Sequence, residues 1–414
     1  MHDMSESVVI VGAGQAGDSA AALLRQYGWQ GAITLVGDEH HAPYQRPPLS
    51  KALLLDQCPP EKLALKPATF YTQQKIELLT GRKAQSIDTA RREITLADGA
   101  TLAYQRLILA TGARLRPLEV PGSNLAGVRA LRTLPDALGL RAAIAPGKRV
   151  VIVGGGYIGL EAAASASKLG ASVAVVEREA RLLARVASPF LSQFMLDYHL
   201  AHNVAIDLDA SVVGFSGNDG HVTAVELSDG RSLPCDVALV GIGVLAEQSL
   251  ALAAGLECSD GVLVDAQART SDPFIHAIGD CTRRPLALYG RMGRLESVQN
   301  ASEQAKQAAS DLCGRPAPAP EAPSTWSDQF DLRLQLVGLT GMPAETIVRG
   351  DLVKHSFAVY HLGEDDRLAA VEAVNAPMDF AFARMVAAKG TRLSRERLRD
   401  PAVTLKELAV GVPA

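Results

Sequence analysis

The first periodic signal in the chain is a run of four apolar positions, residues 8–11 (VVIV), followed at once by the glycine-spaced GAGQAG of residues 12–17. A short, β-branched apolar run that ends in glycine predicts a buried strand. Residues 15–27 then carry an alanine-rich helical pattern, and residues 32–36 (AITLV) predict a second strand. The same order returns later. Residues 149–177, RVVIVGGGYIGLEAAASASKLGASVAVVE, predict strand, glycine turn, helix and strand without interruption, with Gly154 standing 142 residues after Gly12. Residues 91–102 predict a hairpin turning at Asp98-Gly99, and residues 107–112 (LILATG) and 237–243 (VALVGIG) predict strands that run into small-residue turns. A helical pattern covers residues 296–312. Beyond a proline-rich linker at 315–324, alternating stretches at 332–337 and 355–360 predict an antiparallel sheet, with a helix over 379–388.

The glycines bring chemistry to this pattern. In G-x-G-x-x-G between a strand and a helix, the first glycine permits the turn and the second lets backbone approach a pyrophosphate. The third lets helix and strand pack, and the helix N-terminus faces the phosphate charge. Gly12, Gly14 and Gly17 fill these places in the first copy, and Gly154, Gly156 and Gly159 in the second. Each copy is followed by an acid where a ribose is expected, Asp38 in the first and Glu177 in the second. A carboxylate at Glu177 accepts from the 2′-hydroxyl of NADH and repels the 2′-phosphate of NADPH, while Arg178 and Arg181 pull the other way; the balance favours NADH. Two dinucleotides are therefore implied, and the economical pairing is a resident FAD in the first site with a nicotinamide visiting the second. The segment PYQRPPLSK, residues 43–51, holds Arg46 and Lys51 on a loop stiffened by three prolines. Late in the chain, TSDPFIHAIGDC delivers Asp280 straight after a glycine, and the helix starting near Ser297 and Val298 offers N–H groups to a developing anion.

Composition narrows the class. At 414 residues two to three domains are expected, and a net charge of -4 with no lysine-rich run argues against nucleic acid as a partner. Cys58, Cys235, Cys258, Cys281 and Cys313 form no C-x-x-C pair, so neither a disulfide framework nor a zinc site is expected. His199 and His202 share a helical face without further ligands at metal spacing, which predicts a solvated helix and no metal. No signal peptide is expected at the start, no segment reaches the roughly 18 apolar residues of a membrane span, and a cytoplasmic protein is expected.

Taken in order, GAGQAG, RPPLSK, ATG, GGGYIGLE, GIG, SDPFIHAIGDC, ESVQNA and WSDQF resemble the FAD-dependent ferredoxin reductases of bacterial oxygenase systems, the putidaredoxin reductase type, over essentially the whole chain. The resemblance implies an α/β protein with two Rossmann-like dinucleotide-binding domains, for FAD and NAD, and a C-terminal α+β domain. The FAD domain would comprise residues 1–116 and 244–322, around an NAD domain at 117–243, with an interface domain at 323–414. The FAD residues it implies are Gly12, Gly14, Ala16, Gly17, Asp38, Arg46, Lys51, Ala84, Thr111, Gly112, Arg132, Asp280 on the ribityl chain, Val298 at the pyrimidine end, and Trp326. On the nicotinamide side it implies Gly154, Gly156, Ile158, Gly159, Glu177, Arg185 and Gly243. Lys51 and Glu161 correspond to an ion pair near flavin N5. The implied reaction is hydride transfer from NADH to FAD, then two single-electron transfers to a [2Fe-2S] ferredoxin that supplies an oxygenase. The oligomeric state stays open. Rubredoxin reductases, NADH oxidases and a redox-sensing protein resembling apoptosis-inducing factor are the competing readings. An acidic ferredoxin would need a local basic dock, for which Arg283, Arg284, Arg291, Arg294, Lys306 and Lys406 are candidates.

Overall fold

The apolar run at Val8–Val11 becomes the middle strand of a five-stranded sheet because its residues must be buried on both faces, as strands of a parallel sheet are. The strand order across that sheet is Ile275–Ala277, Arg106–Leu109, Val8–Val11, Ile33–Val36 and Ile76–Leu79, all paired in parallel. The helix Gln15–Gln26 lies on one face, and Ala20, Ala21 and Leu24 pack there with Ala301, Ala305 and Ala308 of the helix Val298–Leu312. The computed structural model describes residues 4–341 and 343–409, and this sheet is the centre of the first of two compact units. That unit comprises the chain up to Gln45, Leu63–Arg114 and Val244–Pro323. The expected hairpin is present, with Glu93–Leu96 paired to Thr101–Ala103 and Gly99 at a positive φ of 85° in its turn. A third strand, Ala84–Asp88, joins it, which the sequence pattern did not announce.

The second unit comprises Arg46–Lys62, Leu115–Gly243 and the chain from Ser324 on. It repeats the parallel design with the order Val204–Asp207, Ser172–Val176, Arg149–Val153, Val237–Val240 and Val128–Arg129. It also carries the predicted antiparallel sheet, ordered Ser324–Gln329, Leu332–Gly338, Leu368–Val374, Ser356–Leu362 and Glu345–Asp351. The helix Pro377–Ala387 follows this sheet in sequence.

One expectation is overturned. The helix Pro189–Ala201 is not solvated on its histidine face: Leu191, Met195 and Tyr198 pack with Leu334, Phe357 and Val359 of the antiparallel sheet. His199 goes in with them at 0% exposure, its Nε2 lying 2.8 Å from Gln329 Oε1. The packing partner lies well over a hundred residues away, so a sequence window around the helix does not contain it. Burial pushes the His199 imidazole down to about 4, with the Gln329 hydrogen bond opposing and His202 adding to the shift.

A folded pKa below the unfolded value near 6.5 means that the folded state binds fewer protons between those limits. The stability this group contributes is present above pH 6.5 and is lost as pH falls toward 4. Between pH 7 and pH 4 the wild-type protein is expected to lose about 3 kcal/mol more unfolding free energy than His199→Gln. Denaturant titrations at the two pH values check this, and parallel losses in both proteins would contradict it.

Candidate active site

The two glycine turns have the same geometry. Gly12 and Gly154 both have φ of 113°, and a Cβ on either would strike a carbonyl oxygen of the neighbouring strand's exit, Ala110 or Gly241. A Cβ on Gly17 would strike the Gly12 oxygen, and one on Gly159 the Gly154 oxygen. Gly14 and Gly156 differ from these four, since a Cβ on either meets nothing within 4 Å. The open side falls at the glycine whose task is to let a pyrophosphate approach, which is the fit a dinucleotide requires.

The first unit also contains six more predicted residues, Asp280, Val298, Thr111, Gly112, Ala84 and Asp38. A Cβ on Gly279 would come within 3.0 Å of the Ala16 methyl group, so the short turn that presents Asp280 lies directly against the start of the glycine helix. Gln304 fixes that turn, its Oε1 accepting from Gly279 N at 2.8 Å and from Thr282 Oγ1 at 2.8 Å. The same helix begins at Val298, after Ser297 caps it by accepting from Asn300 N. Thr111 Oγ1 donates to the Glu247 carbonyl at 2.5 Å, and Gly112 takes a φ of 70°. Ala84 is buried at the head of its strand. Asp38 is exposed. It follows Gly37, which holds the register position that Glu177 holds in the second copy, so the two acids are one residue out of step.

In the second unit, Glu177 sits at the end of Ser172–Val176 with one oxygen accepting from Gly155 N at 2.6 Å and the other from Glu179 N at 2.9 Å. These bonds aim the carboxylate at the glycine turn. Arg181 does not reach it: its guanidinium donates to the carbonyls of Ala184 and Ala187 and to Ser192 Oγ. Arg178 is exposed and pairs with Glu179. Arg185 lies over Gly243, with a guanidinium nitrogen 3.1 Å from where a Cβ would stand. Ile158 is 47% exposed on the first turn of the glycine helix, an apolar side chain left uncovered. Trp326 is half-buried on the first strand of the antiparallel sheet.

Lys51 and Glu161 meet within this unit. Lys51 Nζ lies 2.9 Å from Glu161 Oε1, and both side chains are largely withdrawn from water. Ser327 Oγ donates to the same oxygen at 2.7 Å, and Ser50 Oγ to Oε2. The proline loop forms a short 3-10 turn over Pro47–Ser50 that leads into Lys51, and Ser165 Oγ of the glycine helix donates to the Ser50 carbonyl at 2.8 Å. Arg46 donates to the Arg132 carbonyl at 2.6 Å, which brings those two predicted residues together as well.

Two of the suggested docking cations are not surface groups. Arg284 is buried and makes a two-pronged pair with Glu303, 3.1 Å on each prong, plus a 3.0 Å bond to Asn300. Arg294 is mostly buried and pairs with Asp260 and Glu296. Lys306 is half-exposed but paired with Glu321, and Arg291 is exposed. Arg284 is therefore held against the helix that starts at Val298, by Asn300 and Glu303 of a buried polar face that also carries Gln304. Their signal in the sequence is a polar stripe at positions 300, 303, 304 and 307, which helical spacing places on one face, and the structure buries that face. Among the cysteines, Cys281 is enclosed and burial pushes its thiol up, and all five are free.

A chain with two such turns, each with its acid, and one buried lysine–glutamate pair is built as an oxidoreductase that handles two nucleotides. Residues 6–305 match the family model described as pyridine nucleotide-disulphide oxidoreductase, and residues 324–409 the one described as reductase C-terminal. A probable ferredoxin reductase of Castellaniella defragrans is 46% identical over 407 residues, 98% of this chain and 99% of that protein. Putidaredoxin reductase of Pseudomonas putida is 41% identical over 415 residues, 99% of this chain and 98% of that protein. The crystal structure of the covalent putidaredoxin reductase–putidaredoxin complex matches with a TM-score of 0.95 at 41% identity, covering 98% of this chain and 99% of that one. The chain belongs to the pyridine nucleotide-disulphide oxidoreductase family.

Removing one member of a buried charge pair leaves the other uncompensated. Arg284→Met is expected to lower unfolding free energy by about 3–5 kcal/mol, and the double variant Arg284→Met, Glu303→Leu to recover most of that loss. Chemical denaturation of the three proteins checks it. A single variant as stable as wild type would remove the pair from the packing of this helix.

Proposed function

We propose that this protein is an FAD-dependent reductase that takes electrons from NADH and delivers them singly to a [2Fe-2S] ferredoxin serving an oxygenase such as a cytochrome P450, and that it works in the cytoplasm. The observation that carries the reading is the pair of glycine turns, alike in backbone and each open on its second glycine, in a chain whose relatives match it end to end. No helix among the described residues is long and apolar enough to cross a membrane.

In this reading residues 1–116 and 244–322 form the FAD domain, 117–243 the NAD domain and 323–414 the interface domain. FAD, when bound, supplies the chemistry of accepting a hydride and releasing electrons one at a time. Gly12, Gly14, Ala16 and Gly17 receive its pyrophosphate, Asp38 its ribose and Asp280 its ribityl chain; Arg46, Ala84, Thr111, Gly112, Arg132 and Trp326 complete the site. The helix start at Val298 sets its positive dipole against the negative charge that reduction brings. Lys51, held by Glu161, adds a fixed positive charge that favours hydride arrival. Gly154, Gly156 and Gly159 receive NADH, with Ile158, Arg185 and Gly243 around it. Glu177 selects it over NADPH, and because Arg181 is committed to its own loop, the preference is sharper than the sequence alone indicates. The same Cys281 environment weighs against a thiol-based route, since an enclosed thiol with a raised pKa is a poor nucleophile.

The test mixes the purified yellow protein with NADH and cytochrome c, with and without a [2Fe-2S] ferredoxin. Ferredoxin is expected to stimulate cytochrome c reduction strongly, whereas turnover that ignores it and yields peroxide would favour an oxidase. Arg291→Glu is expected to lower ferredoxin-dependent turnover about tenfold while leaving NADH-to-ferricyanide activity intact, in line with about 1.4 kcal/mol for one interfacial charge. Equal loss in both assays would contradict a docking role. Glu177→Ala is expected to raise KM for NADH with the flavin content unchanged, read from steady-state kinetics and absorbance.

A further inference from the structure

The strand Ser324–Gln329 buries two polar side chains where a strand would ordinarily bury apolar ones. Its alternation sends Ser327 and Gln329 to one face and Trp326 and Asp328 to the other, and Ser327 and Gln329 are 0% and 1% exposed. Burying a hydroxyl and an amide costs stability unless each is hydrogen-bonded. Here both are, and in one line.

Gln329 Nε2 donates to Ser327 Oγ at 3.0 Å, and Ser327 Oγ donates onward to Glu161 Oε1 at 2.7 Å. At the other end Gln329 Oε1 faces His199 Nε2 at 2.8 Å. An amide oxygen only accepts, so the imidazole proton resides on Nε2, and Nδ1 is left as a buried acceptor with no hydrogen-bond partner. The opposite orientation of the Gln329 amide would give Ser327 two acceptors and one proton. Every hydrogen in the line thus points from His199 toward the Glu161 carboxylate. Water cannot replace any link, because each of the four side chains is buried. The links come from the helices Tyr157–Lys168 and Pro189–Ala201 and from the strand Ser324–Gln329, all in the second unit.

We propose that Ser327, Gln329 and His199 are positioning residues for the Lys51–Glu161 ion pair, a hydrogen-bonded line that fixes the Glu161 carboxylate and so sets the charge Lys51 offers the flavin. The inference rests on the reading above that this pair serves the flavin. A carboxylate with two hydroxyl donors has part of its charge satisfied by them. When the line is cut, the carboxylate draws more heavily on the Lys51 ammonium, less positive charge is left for the flavin, and reduction becomes harder. A purely structural role would be met equally well by apolar side chains of similar volume, which is where the two explanations part.

The test is a spectroelectrochemical titration of the flavin midpoint potential in the purified holoprotein, with flavin content and thermal midpoint recorded alongside. Ser327→Ala and Gln329→Leu are each expected to lower the reduced-to-oxidised ratio at a fixed poise by about three- to tenfold, about 15–30 mV for a two-electron couple. His199→Leu is expected to behave like Gln329→Leu. His199→Gln, whose amide can donate to Gln329 as the imidazole does, is expected to stay at the wild-type potential. Lys51→Met sets the scale for loss of the pair. If Lys51→Met moves the potential and Ser327→Ala and Gln329→Leu do not, the line has no positioning role and the inference is overturned while the reading of the pair stands. If Lys51→Met itself leaves the potential unchanged, the pair does not serve the flavin and the inference falls with that reading. Ser327→Ala removes a single oxygen, so it carries the test should Gln329→Leu fail to fold.

Discussion

The constraint on which both nucleotide turns depend is the contact between the third glycine and the carbonyl oxygen of the first. Gly17 presses on the Gly12 oxygen and Gly159 on the Gly154 oxygen so closely that no side chain fits between them. That contact brings the helix down onto the strand, directs its first turn at the space beside Gly14 or Gly156, and fixes where the neighbouring strands must end. In the first unit it also sets where Ala16 stands, and hence where the Gly279-Asp280 turn can lie. The parallel sheets, with apolar residues on both faces of their central strands, hold the contact in register.

A second dependence runs through Glu161. It sits on the glycine helix of the second unit, yet it receives Ser50 and Lys51 from the proline loop and Ser327 from the antiparallel sheet. One buried carboxylate therefore ties together three stretches of chain separated by more than a hundred residues each. An ionised group out of water has to be paired and hydrogen-bonded, and that requirement fixes the loop and the strand around it. The proline loop belongs to the second unit for this reason, although the chain on both sides of it belongs to the first.

This division explains how much was legible beforehand. The glycines, their strands and helices, the Glu177 acid and the Ser297 cap are written in local spacing, because each partner lies within about a turn or a strand of the next. Register is less local: Gly37, and not Asp38, matches Glu177, which only pairing along the strands reveals. Arg284 reads as a surface cation in a basic stretch because Glu303 and Asn300, which bury it, come from the next helix. His199 reads as solvated because Gln329 and the sheet that cover it are 130 positions away. Neutralised charges and sealed histidines are products of distant packing, and a sequence window does not contain their partners.

The family is described by the word disulphide, yet this chain keeps its cysteines single, and the one beside Asp280 is sealed in the core. A flavoenzyme with a redox disulphide beside its cofactor can take up two electrons by breaking the S–S bond, hold them as a pair of thiols and let the cofactor start afresh. Here that reservoir is missing. Both electrons from each nicotinamide have to wait at the place where they arrived, while a one-electron acceptor comes, leaves and comes again. Shielding the electrons from dioxygen between two such visits then becomes a task for the packing of side chains.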